Sequence, residues 1–315
     1  MEKLTIYSQA VLGVALLSGV GLFWLSGDRL TQEAAMSVER RYDAPLKHPQ
    51  GAMRVFHIGH SLVGRDMPAM VAQLAGEDHA YESQLGWGVS LKEHWEPKLE
   101  IRGFDAENAH PRFRDARQAV GSGEYDALIL TEMVEIKDAI RYHDSARYLR
   151  RWTEAALQAN GSTRLYLYET WHKLDDREGW LNRLDADLER YWEAQVLLPA
   201  VQKIDGAPIY VIPAGQVMAR VARELERRGG VGSVSSYRDL FSDSIHLNDI
   251  GSYLVALVHY AVLYHKDPRG LPYQLQRADG TPATAPEPML ARLMQEVVWS
   301  VVTTYPKTGV KEACA

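Results

Sequence analysis

Short, largely apolar runs recur along this chain and alternate with segments of helical spacing. Residues 54–58, 127–130, 164–168 and 208–212 are such runs, and 81–85 is a weaker one. Runs this short read as strands rather than buried helices, and continuous apolarity means cover on both faces. Between them, residues 67–75, 143–160, 185–204, the stretch after Gly215 to about 228, 250–264 and 289–302 carry helical periodicity. Parallel strands need a crossover of this kind. The expected architecture is therefore an α/β three-layer sandwich around a mostly parallel, flavodoxin-like sheet. In such sheets ligands meet the loops at the carboxyl ends of the strands. Ser61, Gly88, Thr131, Thr170 and Gly215 occupy those positions.

The N-terminus departs from the pattern. Residues 10–26 read AVLGVALLSGVGLFWLS and carry no charge. Spanning a bilayer takes about 17–25 such residues. A cleaved signal has a shorter core and a small-residue exit, whereas Trp24 and Leu25 stand at the exit here. We expect residues 1–27 to be a transmembrane signal anchor, with a cleaved signal or a buried helix as the alternatives. Residues 28–52 then form a charged stalk, 53–305 the folded domain and 306–315 a tail. Lys3 and the α-amino group would stay cytoplasmic, which places the domain outside the cytoplasm, in the periplasm of a Gram-negative cell.

Composition narrows the field. At 315 residues and 46% hydrophobic, the chain supports one large domain or two small ones. The net charge is −6, and Lys and Arg are interleaved with acids, which argues against a nucleic-acid partner. The single cysteine, Cys314, excludes a disulfide framework and a cysteine zinc site within one chain.

Two distant segments hold the groups that nucleophilic catalysis needs. Phe56-His57-Ile58-Gly59-His60-Ser61-Leu62 reads as a strand opening onto a serine. Asp243-Ser244-Ile245-His246-Leu247-Asn248 sets a carboxylate and an imidazole three residues apart on a loop. A serine hydroxyl is a poor nucleophile until a base takes its proton, and that base needs a third group to fix its tautomer. Each piece also has a plain structural reading. Ser61 could cap the helix near residue 66, Asp243 could N-cap the helix near 249, and His246 could be an ordinary loop histidine. The tetrapeptide His57-Ile58-Gly59-His60 spells the nucleotide-binding signature of class I aminoacyl-tRNA synthetases, but no KMSKS-like loop accompanies it. A metal set from His57, His60, Asp243 and His246 is disfavoured, because His57 and His60 point to opposite faces of a strand.

Gly59-His60-Ser61-Leu62 resembles the first block of the SGNH (GDSL-type) hydrolases, with His where Asp or Asn is usual. Asp243-Ser244-Ile245-His246 is similar to their final D-x-x-H block, and Gly86-Trp87-Gly88-Val89-Ser90-Leu91 resembles their second. The likeness covers most of residues 54–265, in islands. It implies Ser61 as nucleophile, His246 as general base and then acid, and Asp243 as the orienting carboxylate. The oxyanion hole would use the backbone N–H groups of Ser61 and Gly88. The family's third donor is an Asn side chain in a G-x-N-D block, which Leu130-Thr131-Glu132-Met133 lacks. The Thr131 hydroxyl is the expected substitute, since an ionised Glu132 beside it cannot donate. His60 and Glu132 are expected at the substrate cleft, where His60, next to the nucleophile, would tune the site electrostatically. Trp171 would either line a substrate cleft or pack over the sheet edge. The expected substrate is an O-acyl ester, with O-acetyl groups on carbohydrate foremost, and no cofactor. A sugar hydroxyl replacing water would turn the same triad into an O-acyltransferase. A degenerate domain would instead be a glycan-binding or scaffold module.

Overall fold

The computed structural model describes residues 36–311. The expected anchor, residues 1–27, lies outside them. Among the described residues no helix is long and apolar enough to cross a membrane.

Five strands form one parallel sheet: β1 (Met53–His60), β2 (His79–Gly86), β3 (Ala127–Leu130), β4 (Arg164–Glu169) and β5 (Tyr210–Pro213). Their spatial order is β2-β1-β3-β4-β5, the doubly wound arrangement found in flavodoxin-like folds. The chain runs outward from β1 to β2, then returns past β1 to β3. The point where direction reverses lies between β1 and β3, and a crevice opens there at the strands' carboxyl ends. All four residues of β3 are buried, as a central strand covered on both faces requires.

Two groups of helices sandwich the sheet. One comprises α1 (Asp66–Ala75), the long helix Ala214–Arg228, the helix Asp249–Tyr264 and the helix Pro288–Thr304, which pack on one another. The helix Asp249–Tyr264 is apolar almost all round, and every residue from Tyr253 to Tyr264 is buried. Its His259 ring lies 6.1 Å from His57 of β1 and 4.6 Å from Tyr168 of β4. The other group includes the helices Ala116–Ser122 and Ser145–Ala159, whose Val120 and Ala156 sit beside Phe56 on the opposite face of β1.

Several boundaries differ from the sequence expectation. The helix expected over 143–160 is present as Ser145–Ala159, and a helix not expected from the sequence, Ile136–His143, precedes it across Asp144 at φ 53°. The helix expected over 185–204 begins as Trp180–Asp187, widens into a π-helix over Leu188–Leu197 and closes as Leu198–Val201. The packed body also extends beyond residues 53–305. Val38 and Tyr42 are buried, and the Tyr42 hydroxyl donates to the Ile209 carbonyl at 2.8 Å. Val310 is buried as well, and the Leu46 N–H donates to the Gly309 carbonyl at 2.9 Å. The segments read as stalk and tail thus meet each other on the core.

Candidate active site

Ser61 follows the last residue of β1 and opens a tight turn, closed by the Val63 N–H donating to the His60 carbonyl at 2.9 Å. Gly59 must be glycine, because a Cβ there would lie 2.7 Å from Thr131 Cβ. The turn is bolted to the core by buried side chains. His60 accepts from the Leu62 N–H at Nδ1 (3.3 Å) and donates from Nε2 to the Glu132 carbonyl at 2.8 Å. His94 donates from Nε2 to the Gly59 carbonyl at 2.8 Å, and its Nδ1 accepts from Gln84 at 2.9 Å. Burial lowers the pKa of both imidazoles to about 4, so each stays neutral and keeps this donor–acceptor pattern. The Tyr168 hydroxyl adds a contact to the Leu62 carbonyl at 3.3 Å.

The second half comes from the loop before the helix Asp249–Tyr264. That helix is capped by Asn248, whose Oδ1 accepts from Ile250 and Gly251 N–H groups at 3.0 and 3.1 Å. The cap position is therefore taken, and Asp243 turns to its own loop. Its Oδ1 accepts from the Ile245 and His246 N–H groups at 2.8 and 2.7 Å, and its Oδ2 accepts from His246 Nδ1 at 2.7 Å. The backbone N–H of His246 is the main reason its carboxyl pKa falls to about 2, with the imidazole adding to it. With Nδ1–H committed to Asp243, Nε2 faces the Ser61 hydroxyl at 3.0 Å. Ser61 likewise is not a cap, since the residue preceding α1 is Arg65.

The structure brings Ser61, Asp243 and His246 into one relay. Ser61 and His246 line a cavity of about 1030 Å³, with Gly88 and Trp87 on the same wall. Gly88 adopts φ +58°, a conformation that favours glycine.

Other residues expected at the site fall elsewhere. Thr131 is fully buried behind Gly59 and does not line the cavity. Glu132 is buried too: Oε1 accepts from the Met133 N–H at 2.8 Å, and burial raises its pKa to about 7. His60 sits beneath the nucleophile turn, not in the cleft. Trp171 is buried beside Phe241, and its indole N–H donates to the Ile245 carbonyl at 2.8 Å. It backs the Asp243–His246 loop instead of walling the cleft.

The loop after β4 reinforces that support. The Leu174 N–H donates to the Ser244 carbonyl at 2.8 Å. Arg183 is 3% exposed and ion-pairs with Glu135, Asp176 and Asp187, while Asp187 also meets His172 at 3.0 Å. None of this cluster stood out in the sequence, because its members are spread over residues 135–187 with no shared spacing. Trp87 was visible only as the residue between two glycines; a large apolar side chain in a turn at a strand's carboxyl end was the available signal. Among the described residues no group of three or more His, Cys, Asp or Glu is placed to hold a metal ion.

No family model matches the chain, and no curated protein matches it. Among solved structures, it is similar to a DUF4886 family protein from Bacteroides uniformis at 15% identity and a TM-score of 0.49, covering 83% of this chain and 98% of that one. It is also similar to the native aryl esterase of M. smegmatis at 14% identity and a TM-score of 0.39, covering 66% of this chain and 97% of that one. A gut microbial diltiazem-metabolizing enzyme matches at 11% identity and a TM-score of 0.39, over 70% of this chain and 48% of that one.

Proposed function

We propose that the protein is a serine ester hydrolase of the SGNH type, acting on O-acyl esters, with acetyl groups on carbohydrate as the favoured substrates. The observation that carries this reading is the unbroken Ser61–His246–Asp243 relay at 3.0 and 2.7 Å on the wall of an open cavity. Ser61 Oγ attacks the ester carbonyl carbon while His246 Nε2 takes its proton. Asp243 holds the ring in the tautomer with Nε2 unprotonated and stabilises the imidazolium that forms. The tetrahedral oxyanion is received by the N–H groups of Ser61 and Gly88. The C–O bond to the leaving alcohol breaks as that oxygen takes the proton from Nε2. Water then attacks the acyl-serine with His246 again as base, and the acid is released.

With Thr131 turned into the core, the hole rests on two backbone donors. One missing donor costs about 10²–10³ in rate in comparable sites, so we expect modest turnover with unactivated esters. The uncharged stretch 10–26 supports a membrane anchor, and Lys3 with the α-amino group before it supports a domain outside the cytoplasm. Sedimentation of the full chain with membranes, lost on removing residues 1–27, tests that part.

The test of the reaction is hydrolysis of a small acetyl ester by wild type and Ser61→Ala. Wild type should release acetate, and the variant should lose at least about 10³-fold while unfolding at the same temperature. Equal rates for the two proteins would end the proposal.

A further inference from the structure

Trp87 stands out on the described surface. It is 53% exposed, yet nothing about it is loose. Its indole N–H donates to Glu107 Oε1 at 2.8 Å, and its backbone N–H donates to the Arg102 carbonyl at 2.7 Å. One ring face rests on Gly103, so closely that a Cβ there would approach the ring to 2.2 Å. Gly103 itself holds φ +68°, so both its conformation and the close approach call for glycine. The ring lines the same cavity as Ser61 and His246, one residue before Gly88. An immobilised, uncovered indole is a preorganised binding surface, because its ordering entropy is already spent before a ligand arrives.

The rest of the wall states what kind of ring would rest there. Glu107 meets the indole, and Arg65, His110, Lys173 and Asp279 bring further polar groups to a cavity that Pro111, Val134 and Ile245 also line with apolar surface. A ligand matching that wall has one flat apolar face and a rim of hydrogen-bonding groups. A pyranose ring has both: axial C–H groups on a face and hydroxyls around the edge. A purely aromatic alcohol would use the indole and the apolar part of the wall but leave its charged groups unmatched.

We propose that Trp87 is the stacking platform for the sugar ring of an O-acylated carbohydrate, holding the acyl carbonyl beside Gly88 and Ser61, with the Glu107 carboxylate accepting from a ring hydroxyl. This inference rests on the ester chemistry proposed above and names its substrate class. It also moves the aromatic contact from Trp171, which is buried, to Trp87, which is open.

Three esters and two variants test it: a methyl glucopyranoside carrying one acetyl group, phenyl acetate and butyl acetate, with Trp87→Ala and Trp87→Phe. In Trp87→Ala, kcat/KM for the glycoside ester should fall at least about tenfold further than for butyl acetate. Trp87→Phe should recover most of that difference. Equal losses on both would mean that Trp87 only props the Gly88 turn and would overturn the proposal. A loss greatest on phenyl acetate would overturn it in favour of aryl esters. A binding arm needs no ester chemistry: titrate Ser61→Ala protein with the unacetylated glycoside and follow indole fluorescence. A saturable change should appear and vanish in the Ser61→Ala/Trp87→Ala double variant. No change overturns the platform even where esters are cleaved. A saturable change in a protein that cleaves no ester upholds the platform and defeats the hydrolase reading alone.

Discussion

The two halves of the candidate site are held in opposite ways. Ser61 leaves β1 among buried groups, and His60 and His94 beneath it are 0% and 5% exposed, each with both ring nitrogens bonded. The His246 and Asp243 side chains are 43% and 54% exposed, on a loop held largely through its backbone carbonyls. The nucleophile is therefore placed by the core, and the base and acid by short hydrogen bonds at the surface. Damage to the first half should appear as lost stability, and damage to the second as lost chemistry in a folded protein.

The largest expected effect is on the exposed half. Asp243→Asn keeps the size of the side chain but lets an amide N–H face Nδ1, which favours the wrong tautomer. The rate with an acetyl ester should fall about 10³–10⁴-fold. Because Asp243 is more than half solvent-exposed, its contact with His246 adds little stability, and the melting temperature should move by no more than about 3 °C. A large loss of stability on calorimetry would break the contrast.

The mirror experiment is His60→Ala. It leaves the Leu62 N–H and the Glu132 carbonyl without their buried partner and opens a void. Denaturant unfolding should show a loss of about 2–4 kcal/mol. Unchanged stability would mean that the core does not set the position of Ser61.

Trp171→Phe sharpens the comparison from behind the loop. It keeps most of the packing against Tyr168 and Phe241 and removes the indole donor to Ile245. We expect about 1–2 kcal/mol of lost stability and a three- to tenfold drop in kcat/KM, measured on one preparation. A drop in stability with no change in kcat/KM would show that the loop needs no such backing.

The smallest effect concerns pH. Glu169 closes β4 in the core, where burial raises its pKa to about 8, although it accepts from Gln216 at 3.2 and 3.3 Å. The folded state thus favours the protonated form. Its contribution is fully present below the ordinary carboxylate range and is lost as pH rises through about 8. Stability should fall with a slope of at most about 1.4 kcal/mol per pH unit from this group. Thermal unfolding between pH 5 and 8 should be flatter in Glu169→Gln. An identical pH profile would refute the buried-carboxyl account.

The strands were legible because each is a local, largely apolar run, and the relay was legible because Asp243 and His246 stand three residues apart and Ser61 follows directly on a strand. What escaped is long-range. Trp171 reaches Ile245 across 74 residues, and no spacing rule links an indole to a carbonyl that far away. The helix Ile136–His143 was not expected; it ends at Asp144, at φ 53°, one residue before the expected helix begins, and its eight residues are too short a stretch for periodicity to declare. Thr131 was expected at the oxyanion because it follows β3 where the resembled family carries its Asn donor. Its side chain instead fills the space left by Gly59, on the side away from the cavity. A position at a strand's end is thus readable from sequence, while the direction its side chain takes depends on a partner strand.

The central claim is that Ser61 is an activated nucleophile. Treatment of the folded protein with a fluorophosphonate, followed by peptide mass spectrometry, reads this directly. The account predicts a single phosphonyl adduct on Ser61, formed far more slowly in His246→Ala. An unmodified Ser61 in folded wild-type protein, or labelling at the same rate without His246, would contradict it.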